Sequence, residues 1–119
     1  MRISLLFVVL IISKASLAAG SMKIEDCPAP DTSTMFDACV NEVQTAELNL
    51  KLTKKIQDLL RGASAYEKKA LIDSQKAWVN YREKTCIYQQ AARGGIVSIN
   101  LVRCTRDLTE ERLRYFESL

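Results

Sequence analysis

From Leu71 to Cys86 the chain carries no glycine and no proline, and its apolar residues recur with helical period. At roughly 100° per residue, Leu71, Gln75, Trp78, Arg82 and Cys86 fall along one stripe, with Tyr81 on its flank. The stretch belongs to a longer predicted helix. It opens at Ser64-Ala65-Tyr66-Glu67, an S-x-x-E pattern in which hydroxyl and carboxylate each satisfy the other's backbone N–H. It runs to about Arg93, where Gly94-Gly95 breaks the chain. An earlier helix is predicted from the capping residues between Asp31 and Thr34 through to about Arg61, with Gly62 as its stop. Its apolar positions form two groups on nearly opposite sides. Phe36, Val40, Val43, Ala46, Leu50 and Leu60 make one; Leu48, Leu52, Ile56 and Leu59 make the other. Such a helix is gripped by more than one neighbour or shares a side with a partner chain. Beyond Gly95, Val97, Leu101, Cys104, Leu108, Tyr115 and Leu119 return at helical spacing. The β-branched residues around Ile96 and Val102 would suit a strand, but a lone strand has no partner in this chain, so helix is the reading. The expected fold is all-α: a small three-helix bundle made of two helical hairpins.

Residues 19–31 hold both prolines, Pro28 and Pro30, and lack periodicity, which predicts an extended leader before a single helical domain at 32–119. Residues 1–18 read as a secretory signal peptide. Arg2 supplies the positive start, Leu5 to Ile12 the apolar run, and Ser16-Leu17-Ala18 the small residues before the cut. Cleavage after Gly20 is nearly as good. A bilayer span takes about 20 apolar residues, and Lys14 interrupts this run, so no stable membrane anchor is expected. The product is read as exported, periplasmic or secreted.

Charge changes little in this picture. The chain has 17 basic and 14 acidic residues. Losing Arg2 and Lys14 with the signal peptide leaves 15 and 14, a net charge of +1, which gives no argument for a nucleic-acid partner or an anionic membrane. The absence of histidine matters more. It removes Ser-His and Cys-His pairs and any imidazole base, and no phosphate loop or dinucleotide fingerprint appears. Glu110-Glu111 and Glu42/Glu47 are read as solvated helix faces rather than paired catalytic carboxylates. The sequence points to a protein that is not an enzyme and needs no cofactor.

Four cysteines in an exported chain fit two disulfides, with three possible pairings. No C-x-x-C pair and no histidine favour zinc instead. Cys86 and Cys104 flank Gly94-Gly95 at similar distances, so an antiparallel hairpin brings them level. Cys27–Cys39 would then tie the leader to the first helix. Cys39 and Cys86 are also level about Gly62, and that pairing stays open. Each bridge contributes about 2–4 kcal/mol by restricting the unfolded chain.

The pattern Leu71-x-x-x-Gln75-x-x-Trp78-x-x-Tyr81-Arg82-x-x-x-Cys86 resembles the LprI-like lysozyme-inhibitor domain family of secreted bacterial proteins. Cys27 and Cys39, Glu47-Leu48-Asn49, Cys104, Leu108-Thr109 and Arg112 extend the likeness over most of the chain after residue 26. The resemblance implies a protein partner, a lysozyme-type muramidase bound by occlusion. On that reading Trp78 anchors the fold, and Gln75, Tyr81 and Arg82 support it. Arg82 is expected to meet Glu47 or another carboxylate of the first helix. Arg93, Arg103 and Arg106, around Gly94-Gly95, are the candidate contacts for an acidic cleft. The alternative is an interaction or immunity module of the cell envelope that uses the second apolar side of the first helix or the Trp78 region. Oligomeric state is not legible.

Overall fold

Good helix formers, interrupted only near Gly62 and Gly94-Gly95, leave this chain little choice but helices. The computed structural model describes residues 22–27, 33–93 and 97–119. Residues 1–18, both prolines and the Gly94-Gly95 break lie outside the described residues. Three helices follow in order: α1 (Ser33–Arg61), α2 (Ala65–Arg93) and α3 (Val97–Glu117), preceded by one 3-10 turn, η1 (Ile24–Asp26). The expected bounds hold to within a residue or two. Part of the leader, expected to be extended, is instead this turn. The Lys23 N–H donates to the Asp26 carboxylate at 2.9 Å, and the Asp26 N–H returns to the Lys23 carbonyl at 3.0 Å. The predicted capping box opens α2: Ser64 N–H donates to Glu67 Oε2 at 2.7 Å, and Glu67 N–H to Ser64 Oγ at 3.2 Å.

The third helix is the centre of the bundle. It packs along both other helices, while α1 and α2 touch each other little. Cys86–Cys104 and, further along α3, Arg112 on Gln75 show α3 antiparallel to α2. Against α1 it runs parallel, since Arg103 reaches Asp37 and Arg106, further along, reaches Gln44. Of the two expected hairpins, α2–α3 is a packed seam. The α1–α2 pair is a connection whose members are held apart by α3.

Leu52, Leu113 and Phe116 are the buried centre of the apolar core, with Leu48, Ile56, Leu59, Leu71 and Trp78 packed around them. This is the second apolar group of α1, facing α3. The first group has a different fate. Val43, 2 % exposed, is covered from the η1 side, and Met22 and Ile24 share a hollow with it, Ala46 and Leu50. Leu50 remains 67 % exposed. Both disulfides follow the favoured pairing, Cys27–Cys39 and Cys86–Cys104, with Cα separations of 5.7 and 5.5 Å.

Phe116 closes the core at 3 % exposure, so Phe116→Ala should cost about 3–5 kcal/mol. An unchanged urea midpoint would contradict this packing. The N–H of Ser64, and then its hydroxyl, hold the exposed Glu67 carboxyl below its ordinary pKa. A lowered carboxyl pKa stabilises the fold above its unfolded value, and that stabilisation is lost as pH falls through the folded one. The stability gap between the wild type and Glu67→Gln should therefore be present at neutral pH and close in acid, as thermal melts at several pH values would report.

Candidate functional site

The inward stripe of α2 meets α3 around one tryptophan. Leu71, Gln75, Trp78 and Arg82 are partly buried and Cys86 is fully so, whereas Tyr81 on the flank is exposed. The Arg82 guanidinium, one turn along α2, lies 4.8 Å from the Trp78 ring centre. Arg112 of α3 lies 5.6 Å from it. Arg112 is also 4.6 Å from the Phe116 ring and 5.8 Å from that of Tyr115. Guanidinium planes over aromatic faces are attracted by the ring quadrupole, by about 0.5–2 kcal/mol each as water is excluded. The family-pattern residues on α2 and Arg112 on α3 thus form one constellation.

Hydrogen bonds to neutral groups fix both arginines. Arg112 donates from Nε to Gln75 Oε1 at 3.3 Å and from Nη2 to Ser74 Oγ at 3.0 Å. Arg82 donates from Nη1 to Thr109 Oγ1 at 3.0 Å, with Asn49 Oδ1 at 3.5 Å. Thr109 is wholly buried, and its hydroxyl passes the chain on to the Thr105 carbonyl at 2.6 Å. Arg82 Nε is buried without a hydrogen-bond partner. Burial lowers the pKa of Arg82, with Glu83 opposing, and lowers that of Arg112, with Tyr115 opposing.

The expected bond from Arg82 to a carboxylate of α1 is therefore corrected. The nearest α1 partner is the Asn49 amide. Glu47, two positions earlier and about 200° around the helix, is exposed and lines a separate hollow with Lys51, Arg106 and Glu110. Sequence reading did not single out Ser74 or Phe116, and it named Asn49 and Thr109 only as family-pattern positions, not as partners of Arg82. Phe116 lies one turn beyond Arg112, the signal that pointed to it.

Beside the constellation, Trp78, Tyr81, Leu108, Glu111, Arg112 and Tyr115 line a groove of about 210 Å³ between α2 and α3. The three other candidate arginines are not gathered there. Arg93 is exposed at the end of α2. Arg103 pairs with Asp37 at 3.2 Å, both half exposed, and Arg106 donates to Asp107 and, at 3.3 Å, to Gln44. Among the described residues no group of three or more Cys, Asp or Glu side chains is placed to hold a metal ion, and no helix is long and apolar enough to cross a membrane.

A family model described as lysozyme inhibitor LprI matches residues 26–116. The chain belongs to the LprI family. That span encloses all four cysteines and every residue of the Trp78 constellation. No curated protein and no solved structure matches the chain. Within this LprI domain, Trp78 is both core and support for two arginines. Trp78→Ala should cost about 3 kcal/mol, at the low end for a large aromatic because the ring is only partly buried. A thermal melt identical to the wild type's would show that the ring carries no structural role.

Proposed function

We propose that this protein is exported through residues 1–18 and binds a lysozyme-type muramidase, blocking it by occlusion. Membership of the LprI family over residues 26–116 carries the reading. Two disulfides and three long helices support it, because a rigid scaffold loses little entropy when it docks. Lysozyme-type enzymes work with paired carboxylates beside the scissile bond, so the inhibitor needs cations that can be given to them. Arg93, Arg103 and Arg106 serve that purpose in this proposal. Exposed ion pairs such as Arg103–Asp37 and Arg106–Asp107 contribute at most about 1 kcal/mol, so exchanging the partner carboxylate for one on the enzyme costs little.

A second reading is an envelope interaction or immunity module that does not inhibit muramidases. It is favoured by apolar side chains along α2 that the core leaves uncovered, including Tyr66, Ile87 and Tyr88. Clearing of a cell-wall suspension by several lysozymes, titrated with oxidised mature protein, separates the two. Dose-dependent inhibition at stoichiometric amounts is expected. The Arg93→Ala, Arg103→Ala, Arg106→Ala triple variant should need about tenfold more protein, and the effect should weaken with salt. Full lysis at large molar excess would sink the inhibitor reading and leave the second.

A further inference from the structure

The groove beside Trp78 is lined by one arginine, Arg112, that forms no ion pair among the described residues. All four ion pairs among the described residues lie elsewhere. Arg82 and Arg112, both partly buried, reach only neutral oxygens. Buried arginines are ordinarily paired with carboxylates. Glu111 lines the same groove, but no ion pair forms between it and Arg112 among the described residues.

Arg112 is also held ready. Three aromatic rings surround its guanidinium, and its described hydrogen bonds occupy Nε and Nη2, leaving the two N–H groups of Nη1 without a described partner. A guanidinium fixed in this way binds a carboxylate with little further loss of freedom. The walls say what the carboxylate is attached to. Tyr81 and Tyr115, 55 % and 54 % exposed, border the groove from α2 and α3. Their faces suit the C–H-bearing faces of a saturated ring, and their hydroxyls and Glu111 suit hydroxyl or amide groups on its edge. A hydrocarbon acid would leave these polar groups unmatched, and an acidic protein side chain has no flat face for the tyrosines. Drug-sized ligands take about 300–1,000 Å³; 210 Å³ suits a single ring.

We propose that this groove is a binding site for an acidic sugar, a pyranose bearing a carboxylate, with the carboxylate on Arg112 and the ring against Tyr81 and Tyr115. The site is distinct from the Arg93, Arg103 and Arg106 edge and stands whether or not the protein inhibits a lysozyme. Trp78 is the only tryptophan of the chain and lines the groove, so its fluorescence reports occupancy directly. Titration of the oxidised mature protein with N-acetylmuramic acid should give a saturable change. N-acetylglucosamine, the same ring without the carboxylate, and lactate, the carboxylate without the ring, should give none at equal concentration. Arg112→Gln should weaken binding at least about tenfold, the loss of one charged hydrogen bond. Arg112 also supports the fold, so Tyr115→Ala, on an exposed side chain, supplies an independent variant. It should weaken binding several-fold while the protein still melts cooperatively, only a few degrees lower for the lost contacts with Arg112 and Phe116. No response to N-acetylmuramic acid, an equal response to N-acetylglucosamine or to lactate, or full affinity in a folded Tyr115→Ala protein would each overturn the proposal.

Discussion

Neither α1 nor α2 can bury its apolar stripe against the other; each needs α3. Leu48, Leu52, Ile56 and Leu59 of α1 and Leu71 and Trp78 of α2 converge on Leu113 and Phe116 of α3. This dependence explains the placing of the covalent constraints. The apolar core lies toward the Gly62 end. Toward the other end the α1–α3 seam turns polar, with Asp37 on Arg103 and Gln44 on Arg106. Both disulfides are there: Cys86–Cys104 holds α3 to α2, and Cys27–Cys39 holds the leader to α1. A small domain with apolar packing at one end and polar contacts at the other relies on cross-links where burial is weakest.

The Trp78 constellation joins these two ends. Two guanidinium groups stacked on an indole take the place that an ion pair holds in many helical seams. A buried ion pair must offset the desolvation of both charges. A guanidinium is delocalised and weakly hydrated, and here amides and hydroxyls accept from part of each group while Arg82 Nε stays unpartnered. The consequence is an arginine in a groove bordered by two tyrosines, with Glu111 on the wall but in no ion pair with Arg112. Structural support and a capacity for anions thus come from the same side chains, and the LprI family pattern around Trp78 can be read as both.

The leader resolves the two-sided character of α1. Its α3-facing side is an ordinary core stripe. The opposite side is closed over Val43 by η1 and left open at Leu50, so the first group of apolar residues is partly intramolecular and partly surface. Periodicity alone required either a second neighbour for α1 or a side shared with a partner chain, and could not say that a three-residue turn would supply part of the cover.

Much of the architecture was legible in the chain because it depends on local chemistry. Helix lengths follow from propensity and from the breaks at Gly62 and Gly94-Gly95. The α2 start follows from the reach of Ser64 to Glu67, and the inward stripe of α2 from the 3.6-residue period. Even the favoured disulfide pairing rested on the simple levelling of Cys86 and Cys104 about one turn. What only the tertiary structure decided involves partners on different helices. A wheel drawn for α1 cannot say that Asn49 rather than Glu47 turns toward Arg82, nor that α3 separates α1 from α2. It cannot say that Arg112 lies within about 6 Å of three ring centres while Arg103 and Arg106 are committed to α1 and to Asp107. Those choices depend on the rotation and crossing of packed helices, set by the shapes of all three surfaces at once and by no local run of residues.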